Sequence, residues 1–145
     1  MASLTKIHFR IDQDEDGYPP VAVESLWAKP IGGCYEIDSI PFFTRDATVG
    51  DLVRAVPDAT GALWFAGTDH ASHHSLIRVV FFDVACTDPV TKRLEALGCG
   101  TEGMKAYKLV AVDVPADAEL GAVQDFLRSE SSAGHIDYEE ALLRH

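Results

Sequence analysis

Basic residues are scarce in this chain. Twelve lysines and arginines stand against 23 aspartates and glutamates, a formal charge of -11 over 145 residues. A nucleic-acid binder needs a basic patch to displace counterions from phosphates, so the deficit argues against that class of partner. Cysteine is scarce too. Cys34, Cys86 and Cys99 are widely spaced and form no CxxC pair. An odd count with no leader predicts reduced cytosolic thiols, not a disulfide framework. No apolar run reaches membrane-spanning length, and the opening "MASLTKIHFRID" has no apolar h-region, so the expectation is a cytoplasmic protein without a membrane partner. Phosphate and nucleophile motifs are missing as well. "GCGTEG" lacks the lysine and hydroxyl of a P-loop, no GxGxxG follows a strand, and there is no GxSxG elbow or HExxH pair. No cofactor or metal is expected.

What remains is an ordinary globular composition, 47% apolar and 24% charged, of a size for one domain. "IHFRI" (7–11) alternates apolar and polar as a strand does, followed by the acidic turn "DQDEDGYPP". Strands are predicted over 21–30 and 34–43. "TVGDLVRAV" (48–56) places Val49, Leu52, Val53 and Val56 on one helical face, with Thr48 to cap and Pro57 to stop it. "GALWFAG" (61–67) reads as a strand. "SLIRVVFFDVA" (75–85), apolar nearly throughout, reads as a central strand with both faces covered. Asp88 and Pro89 mark a helix start, with Val90, Leu94 and Leu97 as its stripe and Gly98 after its end. A strand over 106–115 follows, parallel to 75–85 if the two share a sheet. Asp117 then caps a helix carrying Leu120, Val123 and Leu127.

The fold class is therefore α+β. An antiparallel β-meander, small and barrel-like, occupies residues 1–67, and a βαβα, ferredoxin-like half occupies 68–145, the two sharing the core of a single domain. "DEDGYPPVAVESLWA", "YEIDSIPFF", "VGDLVRA", "HSLIRVVF" and "LGCGTE" occur in that order. Together they resemble the signature of an uncharacterised bacterial family, domain of unknown function 4265, over about Ile7 to Pro115. The resemblance implies a small cytosolic bacterial protein and brings no reaction or site with it.

Chemistry has few places to sit. Asp12, Asp14 and Asp16 before Gly17 copy the first half of a calcium loop, but Val23 falls where the closing carboxylate belongs, so a solvated turn is expected. In "GTDHASHHSLIRVVFFD" (67–83), adjacent His73 and His74 would point to opposite sides of an extended segment, which leaves His70, His73 and His74 poorly placed for one metal. The acid–base reading is sharper: His74, Leu76 and Arg78 share a strand face. Arg78 would keep His74 neutral as a general base and itself clamp an anion, with Glu24 or Asp51 orienting them. The plainer alternative pairs buried Arg78 with Glu24 or Asp51. A Ser–His reading through Ser72 or Ser75 needs an orienting group and an oxyanion hole as well, and sequence neighbours seldom have the required geometry. Glycine-flanked Cys34 and Cys99 could be exposed, and all three cysteines read as structural. Trp27, Tyr35, Phe42, Phe43 and Trp64 are expected in the core, because a stacking platform needs cations between its rings.

The leading functional expectation is a binding protein, whether a regulator or an immunity-type antidote, acting through a basic protein partner; its oligomeric state is left open. The second is a small enzyme in which His74, Arg78, Glu24 and Asp51 converge on an anionic small molecule.

Overall fold

The computed structural model describes residues 3–145. The chain forms two compact units, the first ending at Ser72 and the second beginning at His73. The boundary thus falls inside the histidine-rich stretch and not at Gly67.

In the first unit β1 (Thr5–Arg10), β2 (Val23–Ile31), β3 (Cys34–Ile37), β4 (Leu52–Pro57) and β5 (Leu63–His70) form an antiparallel meander. A short parallel pairing of Ile7 with Leu63 and His8 with Trp64 closes it into a barrel. The alternation seen in the sequence has a direct physical outcome. Ile7 and Phe9 of β1, Leu26 and Ala28 of β2, Ile37 and Val53 point inward and are almost fully buried. Phe9 stacks on Phe65 at 4.8 Å. Each large side chain buried in this way contributes roughly 2–3 kcal/mol.

The helix expected over 48–56 is instead a tight turn followed by β4. Gly50 adopts a left-handed φ of 84°, and its N–H bonds the Ile37 carbonyl, which turns the chain into the sheet. Val56, assigned to a buried helical face, is 57% exposed. A run rich in valine satisfies helical and strand spacing alike, and pairing with β3 and β5 decides the matter. The strand predicted over 34–43 ends at Ile37, before Pro41.

The second unit runs β6 (Ser75–Phe81), α1 (Thr87–Ala96), β7 (Gly100–Met104), β8 (Leu109–Val114), α2 (Leu120–Ser132) and β9 (Ile136–Leu142). Its sheet has the order β7-β8-β6-β9 with every neighbour antiparallel. The parallel pairing expected between 75–85 and 106–115 is therefore wrong, because β7 intervenes and reverses the chain. "GTEGM" is too polar and glycine-rich to read as a strand, and β9 is too acidic to read as one. Both are edge strands, where charge and glycine are tolerated.

One sheet face packs Ile77, Val79, Phe81, Val110, Val112 and Val114 against Val90 and Leu94 of α1 and Val123 and Leu127 of α2. Leu76, Arg78, Ala111 and Asp113 share the opposite face through their register, and all four are buried. Coverage of both faces is why β6 and β8 read as unbroken apolar runs. Helix α1 starts before Asp88: Asp83 caps a single 3-10 turn, Val84–Cys86, that leads into Thr87. Gly98 takes the expected left-handed conformation after the helix. At α2 the capping position is Glu119 and not Asp117.

Candidate functional site

The four residues singled out for acid–base work divide between the units. Glu24 and Asp51 lie in the first, His74 and Arg78 in the second.

Glu24 is buried on β2. Its carboxylate accepts hydrogen bonds from three successive backbone N–H groups, those of Phe42 (2.6 Å), Phe43 (3.1 Å) and Thr44 (2.8 Å). It holds the loop between β3 and β4, an irregular segment in which Pro41, Phe43, Thr44 and Ala47 are buried and need fixed partners for their backbone. Asp51, fully buried, accepts from Thr48 N–H at 3.1 Å and Ser72 N–H at 2.9 Å. The Ser72 hydroxyl donates to the Val49 carbonyl at 2.7 Å. These two carboxylates clamp loops.

Arg78 sits midway along β6, 5% exposed. Its Nη1 donates to Glu139 Oε1 at 3.2 Å. Glu139 is the register neighbour of Arg78 on β9, so the ion pair is a cross-strand pair between adjacent residues. The sequence placed a carboxylate beside Arg78 but could not name this one, because β9 had not been read as a strand.

His74 stands just before β6, and its Nδ1 lies 2.8 Å from Asp113 Oδ1. Asp113 is buried on β8, directly opposite Leu76. Burial raises its carboxyl above the usual range, while the hydrogen bond and charge of His74, and then the charge of His145, partly offset this. The arrangement expected for His74 was a cation alongside; the charge in hydrogen-bond contact with it is an acid. A carboxylate on Nδ1 fixes the imidazole plane. Asp113 was missed because it occupies an apolar strand, "LVAVDV", where its only signal was to be the one charge.

Ser75 adds a second polar contact. Its Oγ accepts the Arg144 N–H at 2.8 Å and lies 2.7 Å from His145 Nδ1. His145 Nε2 is 2.7 Å from the Pro115 carbonyl, which can only accept, so that nitrogen carries a proton. The histidine partner of Ser75 thus lies at the far end of the sequence, outside "ASHHS". Because Ser75 is fully buried, its hydroxyl fastens the irregular segment after β9 and is not presented as a nucleophile.

Cys99 is buried, and burial followed by the nearby charge of Asp113 pushes its thiol up to about 11. The glycines around it do not expose it. Cys86 is also pushed up, by burial and then by the charge of Asp83. Neither is a ready thiolate. Among the described residues, no three or more His, Cys, Asp or Glu side chains converge as a metal would require. Asp14 bonds the N–H groups of Asp16 and Tyr18 within its own turn.

The aromatic residues of the barrel need a correction. Trp27 is 46% exposed and Trp64 half-buried on the outer surface. Lys6 Nζ lies 5.0 Å from the Trp27 ring and Arg10 4.5 Å from that of Trp64. Strand alternation explains this directly, since β1 turns Ile7 and Phe9 inward and so must turn Lys6, His8 and Arg10 out. Trp64 is held from the side by its indole N–H on Asp58 at 2.9 Å.

Residues 24–138 match the family model described as Domain of unknown function (DUF4265). The chain belongs to this family. No curated protein matches it. A crystal structure of a hypothetical protein from Neisseria gonorrhoeae is similar to this DUF4265 chain with a TM-score of 0.82 at 20% identity, covering 100% of this chain and 99% of that one. At such identity the likeness establishes fold alone.

Proposed function

We propose that the protein is a small cytosolic bacterial binding protein, a regulator or immunity-type factor, that acts through a basic protein partner. The observation that carries this reading is β9. It is an edge strand paired with β6 in its sheet, and it presents Asp137 and Glu140, three residues apart, beside the Glu139 that pairs with Arg78. An open edge offers backbone groups to an extended segment, and its carboxylates select a basic one. The candidate catalytic carboxylates favour the same reading, since Glu24 and Asp51 are already engaged by backbone N–H groups. The order β6-α1-β7-β8-α2-β9 with sheet order β7-β8-β6-β9 supports a ferredoxin-like description of this unit.

The test is retention of a basic protein from host extract on the immobilised chain at low salt, with release as salt rises. Charge reversal at Asp137 and Glu140 should abolish retention, whereas reversal at Asp12 and Asp16 of the barrel should leave it intact. Equal loss from both pairs would reduce the effect to net charge and sink the β9 assignment.

A second reading, a small acid–base enzyme, is favoured by the 2.8 Å contact of His74 with Asp113. In it His74 is the base and Asp113 takes the orienting role first given to Glu24 or Asp51, while Arg78, 5% exposed and paired with Glu139, is not presented to an anion. A His74→Gln protein that loses a turnover measured for the wild type, at unchanged stability, would decide for it.

A further inference from the structure

A cavity of about 570 Å³ opens in the second unit between the start of α1 and the β7–β8 hairpin. Its origin is a packing mismatch. Helix α1 grips the sheet through Val90 and Leu94, while Thr87 and Thr91, one turn apart, face the β7 edge of the sheet across the cavity. The register pairs Thr101 with Val112 and Gly103 with Val110, which puts both β7 residues on the helix-facing side. Gly103 has no side chain to fill that space. A Cβ built on it meets nothing within 4 Å, and its φ does not fall in the left-handed range, so backbone conformation does not require glycine there.

The mouth carries charge unusual for this protein. Lys105 and Lys108, two of the twelve basic residues in a chain of net charge -11, both line it. Lys108 is also the one non-glycine residue with positive φ among those described, at φ 51° and ψ 41°. Its N–H closes on the Lys105 carbonyl and its own carbonyl accepts the Phe81 N–H, which fixes the strained conformation. Glycine would satisfy both bonds without strain. Asp88 at the mouth is accounted for by its place in the first turn of α1, where a carboxylate complements the helix dipole.

We propose that this cavity binds a small carboxylate with an apolar body: the carboxylate on Lys105 and Lys108, and an aryl or alkyl group against Gly103, Val110 and Met104 within reach of the threonine hydroxyls. Its volume lies within the usual range for small-molecule pockets, about 300–1,000 Å³. The assignment is independent of the β9 reading.

Amide NMR titration of the full chain tests it with indole-3-acetate, octanoate, indole-3-acetamide, tryptamine and inorganic phosphate as probes. At least one carboxylate should shift Thr87, Thr91, Thr101 and Gly103 saturably and bind about tenfold more tightly than the amide. Gly103→Leu should fill the space and remove those shifts, and Lys105→Gln should weaken binding. Lys108→Gly should weaken binding while raising the thermal midpoint, a combination that a merely structural lysine would not give. No shift from either carboxylate, binding of the amide or tryptamine as tight as the acid, or an equal response to phosphate would overturn the proposal.

Discussion

The barrel and the second sheet both bury charge, and they neutralise it by different means. In the barrel, Glu24 and Asp51 rest on the backbone N–H groups of residues 42–44, 48 and 72. In the second unit, Arg78 meets Glu139 and Asp113 meets His74. Amide donors do not titrate, are fixed by the chain and cannot be screened away. Histidine and carboxylate partners titrate, move on rotamers and respond to salt. At these positions the barrel should therefore tolerate changes of salt but not of sequence, and the second unit the reverse.

The contrast would break first at Glu24. Glu24→Ala leaves three buried or half-buried N–H groups without their acceptor, each worth about 1–3 kcal/mol, so a loss of about 4 kcal/mol is expected in urea unfolding. That is a large part of the 5–15 kcal/mol available to a small protein. Glu24→Gln keeps one acceptor oxygen and should lose about half as much. A cost for the alanine variant below about 1 kcal/mol would mean that water takes over the loop and that the barrel's charge is not backbone-bound.

The same contrast explains what could be read from the sequence. Strands whose partners lie on both sides or whose faces alternate, β1, β2, β5, β6 and β8, announced themselves through period-two or unbroken apolar runs. Edge strands did not: β7 and β9 carry glycine and carboxylates because half of each is solvated, and that composition is shared with loops. β4 failed differently, since Val49, Leu52, Val53 and Val56 fit two periods and only pairing with β3 and β5 chooses between them. At the candidate site, Arg78 was recognisable as a buried charge from its apolar neighbours. Its partner was not, because Glu139 lies 61 residues away on an unread strand. The tryptophans were misplaced by treating aromatic identity as burial, when the phase of β1 and β2 already put Lys6 beside Trp27 on the outside.

Glu139→Gln is the next test in size. It keeps the volume and a hydrogen-bonding oxygen but removes the charge opposite Arg78. Glu139 is 42% exposed on its side chain, which screens the pair, so the expected loss is about 1 kcal/mol, far below that of a sealed ion pair. The loss should shrink when both proteins are unfolded in 1 M salt, while the cost of Glu24→Ala should not. Equal salt sensitivity of the two variants would remove the distinction between the units.

The smallest effect is the sharpest in sign, and it sets Asp58 of the barrel against Asp113 of the second sheet. Asp58, in the β4–β5 turn, is held well below the usual carboxylate range by the Thr60 hydroxyl, then by the Trp64 indole and the Thr60 and Ala62 N–H groups. A folded pKa lowered in this way contributes stability above the unfolded value of 3.8, and that stability is lost as pH falls through the folded value. Asp113 is raised, chiefly by burial, so its contribution is fully present below 3.8 and is lost as pH rises through the folded value. Asp58→Asn should therefore reduce the acid sensitivity of the thermal midpoint. Asp113→Asn should instead remove a decline toward neutral pH, leaving the protein at pH 7 unchanged or stabilised by less than about 1 kcal/mol. Midpoints recorded from pH 2.5 to 7 on both variants, with the fluorescence of Trp27 and Trp64 reporting the barrel, would show slopes changed in opposite directions. If both variants shift the curve the same way, the carboxylate of Asp113 is stabilised by its imidazole more than it is penalised by its burial. The second sheet would then hold its charge as firmly as the barrel does.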